Sequence, residues 1–163
     1  MKKLLLVVVA LFLTACSTTK PNFVFNDQTA VDQNTGLVWV RNADMPGHQL
    51  IWRGDDNVYE FVKHLNADNF AGYADWRVPT MLEFTTMIGY ATSLGYDKKD
   101  MKTWPFKRFL SLGFTNVHDY EYWTATRESP TEMWTADLIS GRVAPRPENR
   151  PYYLWLVRGN GGR

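Results

Sequence analysis

Three arginines, Arg142, Arg146 and Arg150, are interspersed with Pro145, Pro147 and Pro151. A guanidinium offers planar, bidentate hydrogen bonds to sulfate, phosphate or carboxylate. The prolines forbid a helix and favour an extended, semi-rigid loop. Trp134, Tyr152, Tyr153 and Trp155 lie close by in sequence, and exposed aromatic faces can stack on sugars. Anion recognition is the chemistry on offer, with Arg142, Arg146, Arg150, Trp134 and Tyr152 as the candidate ligand-binding set. The same residues also read as a solvated arginine loop over an aromatic core, and both readings stand. Charge is polarised along the chain: residues 142–163 hold five arginines against one acid, and residues 27–60 six acids against Arg41 and Arg53.

Catalytic chemistry is harder to assemble. An enzyme needs a nucleophile, an acid–base pair or a metal. His48, His64 and His118 are scattered without metal-ligand spacing and read as surface histidines. Asp119 and Glu121 have the spacing of paired carboxylates on one strand face, but a solvated strand edge is the commoner arrangement. Asp75-Trp76-Arg77 reads as a core tryptophan between two residues that orient a turn, because polar residues at such junctions satisfy backbone groups. Cys16 is the single cysteine, which excludes an intrachain disulfide and a cysteine-rich zinc site. The expectation is a protein that is not an enzyme and has no cofactor and no metal. With 18 basic and 17 acidic residues the formal net charge is +1, which argues against nucleic-acid binding by bulk charge.

The elements that must position these residues follow from periodicity. Gly36-Leu37-Val38-Trp39-Val40 follows a turn signal and reads as a strand. Val58, Phe61, Val62 and Leu65 recur at helical spacing after Asp55-Asp56, whose charge favours a helix start; this helix should stop within residues 66–72. Thr80 and Glu83 form a capping box, and Phe84, Met87, Ile88 and Ala91 repeat behind it, which predicts a second helix over 81–93. Residues 122–126, 133–138 and 152–157 are strand-like, with a turn at Ser140-Gly141. Helices followed by strands indicate an α+β fold with an antiparallel sheet. A chain of 163 residues, 45% hydrophobic and 15% aromatic, suffices for one domain with its own core.

The amino terminus carries a different signal. Lys2 and Lys3 precede an apolar run at residues 4–13, too short to span a bilayer but matching a secretory h-region. Leu13-Thr14-Ala15-Cys16 resembles the lipobox of bacterial lipoproteins. The resemblance implies cleavage before Cys16, lipidation of its thiol and acylation of the new amino terminus. Ser17, in place of aspartate, resembles an outer-membrane sorting address. The expected organisation is a signal peptide at 1–15, a lipidated tether at 16–21 and one domain at 22–163. From Cys16 to Phe23 the tether reaches at most roughly 25 Å, which keeps the domain near its membrane.

Within the domain, Asp32-Gln33-Asn34-Thr35-Gly36-Leu37-Val38-Trp39 resembles the opening of the Lcl C-terminal domain family. Gly72-Tyr73-Ala74-Asp75-Trp76-Arg77-Val78-Pro79-Thr80, with Glu83, is similar to its central block. Tyr122-Trp123-Thr124-Ala125-Thr126, then Trp134 with Gly141, and finally Val157-Arg158-Gly159 are similar to its later strands. The resemblance implies a compact C-type-lectin-like domain with two helices and a twisted antiparallel sheet. C-type-lectin calcium signatures are missing: Pro147-Glu148-Asn149 has the wrong order, and Asp55-Asp56-Asn57 reads as a helix start. Many family members carry cysteines where Val62 and Leu156 stand here, so an apolar contact is expected in place of a crosslink. The family's namesake adhesin is associated with sulfated glycosaminoglycans. Together these features imply an outer-membrane-anchored, palmitoylated lipoprotein of the cell envelope. Its domain would be a non-catalytic binding module for an anionic glycan or other cell-surface ligand, with a role in adhesion. The alternative is an accessory subunit of an envelope protein assembly.

Overall fold

The computed structural model describes residues 20–160, so the segment holding the lipobox and Cys16 lies outside the described residues. The elements run β1 (Phe23–Phe25), β2 (Thr29–Asp32), β3 (Val38–Val40), α1 (Val58–Ala67), α2 (Met81–Ser93), α3 (Pro105–Leu112), β4 (Glu121–Ser129), β5 (Glu132–Asp137), β6 (Arg142–Pro147) and β7 (Val157–Arg158). They form two antiparallel sheets, β1-β2-β3-β7 and β4-β5-β6, in an α+β arrangement.

The apolar runs that lack alternation are explained by two cores. Along residues 152–157, Tyr152, Leu154 and Leu156 enter one apolar cluster with Val58, Trp76 and Trp123. Tyr153, Trp155 and Val157 enter the other, with Trp39, Phe84 and Phe109. Successive side chains of an extended segment point to opposite faces. A segment apolar on both faces therefore runs between two cores rather than over one. Leu37 and Trp39 against Val38 and Val40, and Tyr122 against Trp123, divide in the same way. The expected last strand is hydrogen-bonded as a strand only at Val157–Arg158. Before it, Tyr152 bridges to Leu50, Tyr153 to Tyr122, and Val157 also bridges to Arg77, so the segment stitches both sheets to the loops.

The α+β class is the expected one, and the described residues hold three α-helices where two were expected and two antiparallel sheets where one was. The third helix, α3, carries Pro105 at its first position and ends on Gly113 at φ 118°, both ordinary helix boundaries. It has only two turns, so its apolar repeat is too short to stand out from the surrounding aromatics. At the start of α1 the cap is Asn57, which accepts from the Glu60 amide at 3.0 Å. Asp56 is left-handed at φ 51° and belongs to the preceding turn.

Helix α2 has the expected bounds and the expected capping box: the Thr80 hydroxyl accepts from the Glu83 amide at 3.2 Å, and Glu83 accepts from the Thr80 amide at 2.8 Å. Replacing Thr80 by alanine removes one of these bonds, and the domain should lose about 1 kcal/mol of stability. A urea midpoint that does not move would show the cap to be redundant. Leu156 belongs to the second cluster and Val62, half-buried, packs against it.

Candidate functional site

Residues 142–147 are not a free loop. They are β6, the outer strand of its sheet, paired with β5 in the register Trp134↔Pro145 and Met133↔Arg146. An edge strand tolerates prolines because it has no further neighbour to bond. Arg146 and Arg142, four residues apart on the strand, share a face about 13 Å from one another. Arg146 closes on Glu121, donating from Nη2 at 2.6 Å and from Nε at 2.8 Å. This hydrogen bonding holds the guanidinium above its ordinary pKa. Trp134 is half-buried and donates through Nε1 to Glu128 at 2.7 Å. Tyr152 is buried, its ring edge-on to Trp123 at 4.8 Å. Arg142 and Arg150 remain exposed. The five residues singled out along the chain therefore do not converge on one exposed surface. Arg146 is engaged by Glu121 and the Tyr152 ring is buried.

The Asp75-Trp76-Arg77 turn is built as a junction. Asn66, at the end of α1, accepts from the Trp76 amide at 2.7 Å and donates to its carbonyl at 2.9 Å. The Trp76 indole donates to the Phe70 carbonyl at 2.9 Å. Arg77 donates to both oxygens of Glu83, at 2.8 and 2.6 Å, and to the Gly159 carbonyl at 2.7 Å. Burial raises the Glu83 carboxyl, but the bonds from Arg77 and from the Thr80 amide outweigh it and hold its pKa below the ordinary value. Arg158 binds Asp75 at 2.7 Å and lies over the Tyr73 ring at 3.7 Å. That ion pair holds the Asp75 carboxyl low.

Beside this junction lies a groove of about 510 Å³, within the size range of small-ligand sites. Val58 and Val62 of α1, Val78 and Ala125 give it an apolar lining. Trp52 and the exposed Tyr59 supply aromatic surface, while Arg53, Arg77, Thr80 and Asn160 supply polar groups. Two arginines and no carboxylate line it. Arg77 is neutralised by Glu83, which leaves Arg53 as the exposed cation. A concave wall with aromatic faces and one available guanidinium can hold a flat, partly apolar ligand bearing a negative group. Residue patterning gave Arg77 a turn-orienting role and did not single out Trp52, Arg53 or Tyr59, because nothing in their spacing says that α1 and the junction enclose a space. Their one local signal is an adjacent tryptophan and arginine in a segment with no helical or strand period.

The histidines behave differently from one another. His64 is exposed on α1, as expected. His48 bonds Asp56 at 2.8 Å, which raises its pKa. His118 bonds the nearly buried Asp44 at 2.8 Å and stacks on Tyr153 with ring centres 3.9 Å apart. The two residues are far apart in sequence, so no motif announces the pair. Glu121 turns to Arg146, while Asp119 is exposed. Among the described residues no group of three or more His, Cys, Asp or Glu is arranged to hold a metal ion, and no helix is long and apolar enough to cross a membrane.

Two small antiparallel sheets stitched by one aromatic segment, with a capped helix entered through an arginine–glutamate junction, define a compact α+β domain. The family model of the Lcl C-terminal domain matches residues 28–158, and the chain belongs to that family. No curated protein matches it.

Proposed function

We propose that this protein is a lipid-anchored lipoprotein of the outer membrane whose domain binds an anionic saccharide of the cell surface without catalysis. The observation that carries the binding reading is the groove, concave and free of carboxylates, with Trp52 and Tyr59 beside Arg53. A sugar ring stacks on the aromatic faces, and its carboxylate or sulfate meets the Arg53 guanidinium. The C-type-lectin-like relationship implied by the sequence motifs belongs to the same reading. A non-catalytic role is supported by the way acidic groups are engaged: Glu83 by Arg77, Glu121 by Arg146 and Asp44 by His118. The apolar share of the lining favours a second reading, in which the groove receives a segment of an envelope protein partner.

Residues 17–163 contain every described strand and helix and both cores, and suit a binding assay. A heparin tetrasaccharide titrated into this polypeptide should bind more weakly as salt rises. Trp52→Ala combined with Arg53→Gln should weaken it at least tenfold. Arg142→Ser combined with Arg150→Ser should change it less than threefold. The reverse ranking would move the site to the β6 edge. Saccharide binding indifferent to both pairs would favour the protein-partner reading.

Anchoring is supported by Leu13-Thr14-Ala15-Cys16 and by the position of the single cysteine. Acyl chains contribute about 0.8 kcal/mol for each buried CH₂, and one chain alone holds marginally, whereas several attach a protein stably. A fatty-acid analogue fed to cells should label the wild-type protein in the outer-membrane fraction and fail to label Cys16→Ser. Equal labelling of the two proteins would end the lipoprotein reading.

A further inference from the structure

Lysine is unevenly distributed over the surface. Lys98, Lys99, Lys102 and Lys107 lie in the connection from α2 to α3 and the first turn of α3, and all four are exposed. The ion pairs among the described residues involve none of them. The two acids of the stretch are turned to backbone: Asp97 accepts from the Lys99 amide at 2.9 Å and Asp100 from the Lys102 amide at 3.0 Å. Thr103 closes the loop, its hydroxyl 2.7 Å from the Asp97 amide and 2.9 Å from the Asp97 carbonyl. Arg108 of α3 donates to the Gly95 carbonyl at 3.0 Å and ties the helix to the end of α2. The lysines are thus carried on a fixed loop rather than on a free arm.

Apolar side chains are exposed on the same segment and on α3. Leu94 is 37% exposed, Tyr96 41%, Met101 52% and Leu110 37%. The core of a protein interface is depleted of lysine. Lysines interspersed in one segment with exposed Leu, Tyr and Met suit the headgroup boundary of a bilayer. Basic clusters near an anionic leaflet are attracted to it.

The path of the chain points the same way. Phe23, the first residue of β1, meets Tyr90 with ring centres 6.0 Å apart, and Tyr90 lies one helical turn before Leu94. Gly113, which ends α3, lies against the Phe25 ring. The chain coming from Cys16 therefore enters the domain beside the helix pair that carries the lysine loop, and α3 is only about 12 Å long. The groove is built over the other core, around Val58 and Val78.

We infer that the α2–α3 connection, residues 94–107, lies against the anionic phospholipid surface of the leaflet that holds the lipid anchor, leaving the groove turned away from the bilayer. This rests on the anchoring proposed above. The test uses residues 17–163, which lack the lipid, in flotation with phosphatidylcholine vesicles prepared with and without phosphatidylglycerol. The wild-type polypeptide should bind the phosphatidylglycerol vesicles at least tenfold more strongly, and the difference should shrink with salt. Lys98→Gln, Lys99→Gln, Lys102→Gln and Lys107→Gln together should remove at least nine-tenths of that binding, with the thermal unfolding midpoint unchanged. Met101→Ser should lower it about threefold through its apolar contact alone. Arg142→Ser with Arg150→Ser should leave it within a factor of two. Equal binding by the lysine variant, equal loss in the arginine variant, or no binding by wild type would each overturn the inference. Anchoring fails separately: absent fatty-acid label at Cys16 is read in cells and does not alter vesicle binding by the lipid-free polypeptide.

Discussion

Trp155→Ala should destabilise the domain by about 3–5 kcal/mol, the range for removing a fully buried large aromatic side chain. Trp155 has no exposed surface and sits edge-on to Phe114 at 4.9 Å, Phe109 at 5.3 Å and Trp39 at 5.6 Å. These rings come from α3, the loop after it and β3, so the cavity cannot be closed by moving one element. The indole also donates to the Val40 carbonyl at 2.7 Å, and its removal leaves that acceptor unpaired in a dry core. A loss of this size is comparable to the whole stability of many domains. In urea, the midpoint should fall sharply with an unchanged slope, or the variant should fail to accumulate as a folded protein. Trp155→Phe, which keeps a ring and loses the donor, should lie between the two. A Trp155→Ala shift below about 1 kcal/mol would show that the surrounding rings collapse into the space, contrary to the rigid junction described here.

Glu83→Ala should cost about 3 kcal/mol. Three hydrogen bonds converge on this carboxylate: two from Arg77 and one from the Thr80 amide. Its side chain is 16% exposed and that of Arg77 35%. Removing one partner of a fully buried pair costs about 3–5 kcal/mol, and solvent reaching Arg77 places this case at the lower end. The loss also frees the amino end of α2 and the Arg77 clasp on Gly159, so the closing segment should exchange amide protons faster. The pair sets a direction for pH dependence as well. The folded Glu83 pKa is depressed, so its stabilisation is fully present above the unfolded value, near 4.5, and is lost as the pH falls through the folded one. Glu83→Gln should therefore flatten part of the acid limb of a stability curve while lowering the plateau. An acid limb unchanged in Glu83→Gln would assign that limb to other carboxylates.

The junction also shows where function and stability part. Arg77 lines the groove, yet its charge is spent on Glu83 and its role is to hold the wall. Arg53 stands in the same groove and is exposed. The two arginines are chemically alike, and only their partners separate a scaffold residue from a ligand-facing one. Arg146 and Arg142 repeat the contrast on β6.

Sequence alone determined the features that local chemistry controls. The start of α2 was legible because Thr80 and Glu83 are three residues apart, and the capping bonds form within one turn. The strands around Trp39, Trp123 and Trp134 were legible because β-branched and aromatic runs between turn residues have few other uses. Membership of the Lcl C-terminal domain family was legible for a related reason: in its central block Arg77, Thr80 and Glu83 bond one another at short range. Tertiary structure alone decided which side chains are free. Glu121 and Arg146 are 25 positions apart, and His118 and Asp44 are 74 apart. Such pairs leave no periodic trace, because a chain can bring distant residues together without altering the pattern around either. The run of both-face apolar residues at 152–157 signalled burial but not that two cores share the segment. A groove between a helix, a turn and a strand likewise has no one-dimensional signature, since its walls are defined by the space they leave. Local hydrogen bonding and alternation are written into neighbouring residues, whereas exposure and pairing belong to the folded surface.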